Sequence, residues 1–112
     1  MRLSPLDPLG YFFAGGIAVA HVAARRFEKA LESADRALRE QSRWVVMHRV
    51  KAVAYAHLGR ANEARDAASR ILELHPNFTI SGWAGRYAAV AISPETMAVY
   101  IDGLRKAGLP DE

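Results

Sequence analysis

Residues 18–42 read AVAHVAARRFEKALESADRALREQS, and residues 52–76 read AVAYAHLGRANEARDAASRILELHP. Overlaid, the two stretches are offset by 34 residues and share Ala18/Ala52, Val19/Val53, Ala20/Ala54, Arg26/Arg60, Ala30/Ala64, Ala34/Ala68, Arg36/Arg70 and Leu38/Leu72. The same step leads on from Ala64 to Ala98, and from Ser42 through Pro76 to Pro110. An internal period of this size marks an array of helical hairpins, in which no hairpin buries its apolar face alone and stacking supplies the core. Such arrays present surface, so binding is expected ahead of catalysis.

The 112 residues hold about three units, at about 8–42, 43–76 and 77–110, read as one domain over 1–112. Three is near the minimum for a stable array. With 51% hydrophobic and 24% charged residues the chain has a globular rather than a disordered balance. The absence of cysteine excludes disulfides, thiolate zinc sites and cysteine nucleophiles. The net charge of +3 is dispersed, with Arg36, Arg39 and Arg43 alternating with Glu32, Asp35 and Glu40. That alternation reads as a solvated helix face laced with ion pairs, and no aromatic-basic strip accompanies it, so no nucleic-acid partner is expected. Residues 9–24 are nearly uncharged, but these 16 residues contain His21 and fall short of a span, which needs about 20. Pro5, Asp7 and Pro8 precede the run, and its helical pattern continues past Ala18-Val19-Ala20, against a cleaved signal. No membrane association is expected.

Apolar spacing and end signals predict six helices in three hairpins, at about Pro8–Ala24, Phe27–Glu40, Arg43–His57, Ala61–Leu74, Phe78–Ala91 and Pro94–Ala107. Asp7, Ser42, Asn77 and Ser93 are the expected N-caps, and Gly59 and Gly108 the expected stops. Ala18, Ala30, Ala34, Ala52, Ala64 and Ala68 let helices approach closely, while Phe27 and Tyr55 fill what remains. No alternating β-branched run predicts a strand. In the third unit the strict step would bury Arg86, Asp102 and Arg105. The apolar stripe of the last helix is instead Met97, Tyr100, Ile101 and Leu104, one residue out of step, as befits an end cap.

Ala52, Tyr55, Gly59, Ala64 and Pro76 in the middle unit, and Ala18, Phe27, Ala30, Ala37 and Ser42 in the first, resemble the tetratricopeptide repeat. His21, Arg25 and Ala61 depart from its aromatic, glycine and second aromatic, and Ile71 from its small residue. The resemblance implies a right-handed α-α superhelix of about three hairpins. More narrowly, the opening from Leu3 to Pro8 and the closing from Tyr100 to Pro110 resemble the C-terminal repeat region of bacterial class III adenylate/guanylate cyclases. That implies a cytoplasmic, non-catalytic interaction or regulatory domain from the end of a longer protein, whose cyclase head would make cyclic AMP. Similar tails occur on winged-helix transcriptional regulators, and a free-standing adaptor is the third alternative.

His21, His48, His57 and His75 are too scattered for a metal site, Gly15-Gly16 lacks the residues of a phosphate loop, and no Ser-His-Asp ordering has a strand-turn context. No catalytic residue, metal or cofactor is assigned. The repeat resemblance puts Phe12, Val19, Val22, Val46, Arg49, Val53 and His57 on a concave groove for a protein or peptide, apolar with Arg49 as a cationic edge. The equal alternative is that several of these side chains pack within the chain. Tyr11, Phe13, Trp44, Trp83 and Tyr87 form an expected self-association surface, most simply a two-fold homodimer.

Overall fold

The computed structural model describes residues 10–87 and 93–112, without the side chains of Tyr11, Phe12 and Tyr87. Among the described residues there are six helices and no strand: α1 (Gly10–Ala23), α2 (Phe27–Glu40), α3 (Val45–His57), α4 (Ala61–Leu74), α5 (Ile80–Tyr87) and α6 (Pro94–Lys106). The all-α architecture expected from the apolar spacing is observed. The expected cap at Asp7 and the end of the fifth helix near Ala91 lie outside the described residues.

The period is written into the backbone of the first two hairpins. Helix α4 begins and ends 34 residues after α2. In the α1–α2 turn Ala24 N donates to Ala20 O (3.0 Å), Arg25 N to Val22 O (3.0 Å) and Arg26 N to His21 O (2.8 Å). In the α3–α4 turn Leu58 N donates to Ala54 O (3.0 Å), Gly59 N to Ala56 O (3.2 Å) and Arg60 N to Tyr55 O (2.9 Å). The two turns are the same helix stop, which satisfies orphaned carbonyls and needs one left-handed residue. Gly59 supplies it at φ 77°, and Arg25 adopts it at φ 59° despite its side chain.

Two expected caps are corrected. Helix α3 starts at Val45 behind Trp44 with no side-chain cap; Ser42 instead offers its carbonyl to His48 Nε2 (2.9 Å). Helix α5 starts at Ile80, and Thr79, not Asn77, caps it, its Oγ1 accepting from Gly82 N (3.1 Å). Ser93 caps α6 as expected, accepting from Thr96 N (3.2 Å).

Helix α1 packs on α2, α3 on α4, and α2 joins the hairpins by packing on α3. Ala18, Ala30, Ala34, Ala52, Ala64 and Ala68 are buried at these contacts, and Lys51 bridges to Asp35 (2.9 Å) from α3 to α2. The third hairpin breaks the pattern. Helix α6, rather than α5, lies on α3 and also reaches α1 and α4, while among the described helices the backbone of α5 comes close to that of α6 alone. The buried face of α6 is Val99, Tyr100, Gly103 and Leu104, with Met97 and Ile101 of the expected stripe only half-buried. The stripe is rotated because its closest approach is made by a residue with no side chain: a Cβ on Gly103 would sit 2.9 Å from Val53 Cα.

The chain end completes this unit. Ile80 N donates to Pro110 O (2.9 Å) and Ser81 N to Asp111 O (2.9 Å), so the tail satisfies the first amides of α5. Arg105 Nε holds Asp111 Oδ1 at 2.8 Å, and Leu109 is buried.

Candidate functional site

Pro76 follows directly on the C-cap of α4, and Phe78 N then donates to His75 O (3.0 Å). Phe78 is thereby buried, edge-on to the His75 ring with centroids 6.1 Å apart. Thr79 launches α5, and helical spacing sets Gly82, Trp83 and Arg86 on one side of it. The start of α3 contributes Val45, Val46 and Arg49 opposite. Between these walls lies a cleft of about 190 Å³, lined also by Asn77.

Among the described residues the lining of this cleft carries Arg49, Arg86 and His75 and no carboxylate. Arg49 is only 7% exposed, with its guanidinium carbon 5.8 Å from the centroid of the Trp83 ring. That distance is within cation–π range. Trp83, also 7% exposed, leans on Tyr100 of α6 with ring centroids 5.5 Å apart. Burial pushes the Tyr100 hydroxyl up to about 12, against the pull of the Arg49 charge.

The repeat explains why a cleft stands here. Gly15, Arg49 and Trp83 occupy successive equivalent positions, as do Trp44 and Phe78. At the first junction Gly15 leaves room for the Trp44 indole, which a Cβ there would overlap. At the second junction a buried arginine replaces that glycine, and no Cα of α5 comes within 8 Å of α3. A side chain as large as Arg49 holds the two helices apart, and the remaining space is the cleft.

The expected groove residues divide between this cleft and the interior. Val46 and Arg49 line the cleft. Val22 and Val53 are completely buried, so they line no open groove; on α3 the occupant is α6, seated with Gly103 against Val53. His57 is held in the same packing, stacked on Phe27 (4.7 Å) and bonded through Nε2 to Val99 O (2.8 Å). Val19 remains 36% exposed, and the side chain of Phe12 lies outside the described residues.

Of the expected self-association residues, Trp83 is corrected to an interior position, closed over by Tyr100 and Arg49. Trp44 is half-buried on Gly15, and the side chains of Tyr11 and Tyr87 lie outside the described residues. Phe13 stays 40% exposed, and Ile17 joins it at 51%. With Val19 these are the exposed large hydrophobic residues among those described, and all three belong to α1.

His75, Phe78, Thr79, Gly82 and Arg86 escaped the sequence reading. The available signal was the replacement of Gly15 by Arg49 and then Trp83 at one repeat position. Among the described residues no group of three or more His, Asp or Glu side chains could hold a metal ion. No described helix is long and apolar enough to cross a membrane. No family model, curated protein or solved structure matches the chain.

Proposed function

We propose that the chain is a non-catalytic helical-repeat interaction module of the tetratricopeptide type, working by self-association. The observation that carries this reading is the exposed face of α1. A helix with no Asp, Glu, Lys or Arg from Gly10 to Ala23 normally has both faces covered. Here Phe13, Ile17 and Val19 face outward, and a Cβ at Gly16 would meet nothing within 4 Å. A contiguous apolar face of this kind seeks a partner, and a second copy across a two-fold axis is the simplest. The repeated turn geometry of the first two hairpins supports the tetratricopeptide reading.

The module belongs, on this proposal, to a cytoplasmic bacterial cyclase, where pairing of the repeat domain brings catalytic heads together. Light scattering of the chain at about 100 μM tests the pairing, a concentration at which contacts with dissociation constants in the micromolar range are populated. A dimer is expected, converted by Ile17→Glu to a monomer of unchanged helicity. A monomeric parent chain sinks the proposal. Cyclic-nucleotide production by a head-bearing protein, compared with one truncated before Leu3, tests the cyclase assignment separately. Unchanged activity and unchanged assembly would remove it.

A further inference from the structure

We infer that the exposed seam of α1 takes the α1 helix of a second copy running antiparallel, so that Phe13 of each chain covers Ala24 of the other and Ile17 covers Ala20. The inference rests on the pairing proposed above and adds which helix fills the face and in which direction. Phe13, Ile17, Ala20 and Ala24 are exposed and follow one another at steps of four, three and four residues. That spacing puts them on one line along a helix. Ala24 N donates to Ala20 O (3.0 Å), so the helical turn carries the line to its last member. The molecule itself shows what such a line receives. One repeat later the same positions are Met47, Lys51, Ala54 and Leu58. There Met47 and Ala54 are fully buried and Lys51 reaches Asp35 of α2 (2.9 Å), so this face of α3 is covered by a neighbouring helix.

Charge selects the occupant and size its direction. Ile17 stands in the place of Lys51, so a charge set against it would be buried without a partner. Among the described helices α1 alone lacks Asp, Glu, Lys and Arg, which makes a second α1 the matching cover. The line carries its large side chains toward the start of the helix and its alanines toward the end. Two such helices in parallel would be wedged apart at Phe13 and Ile17, leaving the alanines unfilled. Antiparallel, every layer holds one large and one small side chain, and one interaxial distance serves the whole seam.

The chain has no cysteine, so single introduced cysteines report the direction. Phe13→Cys and Ala24→Cys chains, mixed at about 100 μM and oxidised, are expected to give the mixed disulfide dimer. Neither variant alone is expected to give one, because each position lies about 16 Å along the seam from its own copy, beyond the roughly 7 Å that a disulfide spans between Cα atoms. Ala20→Ile, at an exposed position, sets two large side chains in each inner layer and is expected to weaken the dimer about tenfold or more in dilution light scattering. Adding Ile17→Ala to it restores one large and one small side chain per layer, and is expected to return the dissociation constant to within about threefold of the parent. A monomeric parent chain overturns this inference together with the pairing. A dimeric parent overturns the antiparallel seam alone if Ala24→Cys cross-links by itself, if no mixed disulfide forms, or if exchanging Ile17 and Ala20 restores nothing.

Discussion

Arg25 holds the left-handed backbone conformation that Gly59 holds one repeat later, at φ 59° against 77°. For an L-residue with a Cβ that conformation costs about 1–2 kcal/mol, part of which a glycine returns through its freer unfolded chain. Arg25→Gly is expected to stabilise the protein by about 0.5–1 kcal/mol in urea denaturation. Gly59→Ala, into space where a Cβ meets nothing within 4 Å, is expected to cost about 1 kcal/mol by the same backbone term. Equal signs for the two would mean that the turns are not equivalent. Tyr100 is the other residue with a measurable signature. Its hydroxyl ionises near about 12 when folded and near 10 when unfolded. The folded state keeps the proton longer, so stability is intact below about pH 10 and falls as pH climbs to about 12, by on the order of 2–3 kcal/mol. Tyr100→Phe is expected to flatten that alkaline loss while leaving neutral stability nearly unchanged. A pH series of urea midpoints for both proteins reads the difference directly.

Helix α6 shows how one position sets the seating of an element. A Cβ on Gly103 would come within 2.9 Å of both Val53 Cα and Val53 Cγ1. Moving backbone against backbone costs about 1–3 kcal/mol, which exceeds the helix propensity gained on replacing glycine by alanine, at most about 1 kcal/mol. Gly103→Ala is therefore expected to lower the melting temperature, and Gly16→Ala, on the open side of α1, to raise it. If both raise it, α6 does not rest on α3. At this scale the sequence was informative about existence and less so about ends. Ser93 was readable as a cap because serine, proline and acid stand together at 93–95. Asn77 misled because the residue two further on, Thr79, also carries an acceptor, and the burial of Phe78 decided between them. The α6 stripe misled because counting apolar residues gives no weight to a glycine, although that glycine makes the closest contact.

Across the whole molecule, the third hairpin depends on the chain end. The carbonyls of Pro110 and Asp111 take the first two amide protons of α5, Leu109 is buried, and Asp111 is tied to Arg105. Removing residues 109–112 is expected to release the Ile80 and Ser81 amides to rapid hydrogen exchange while α2 and α4 keep their protection. Protection of Ile80 and Ser81 that survives the truncation would show that the tail does not hold α5. The all-helical class, the two equivalent hairpins and the stop at Gly59 were all present in the sequence, because each rests on spacing and on residue types whose preferences act locally. The cleft was not. It depends on Arg49 lying beside Trp83, and on α6 rather than α5 reaching α3, contacts between residues far apart in the chain. Periodicity determined by itself what the units are. Only the tertiary structure decided how the aberrant third unit is seated, because packing, and not propensity, selects which helix fills the space beside Val53.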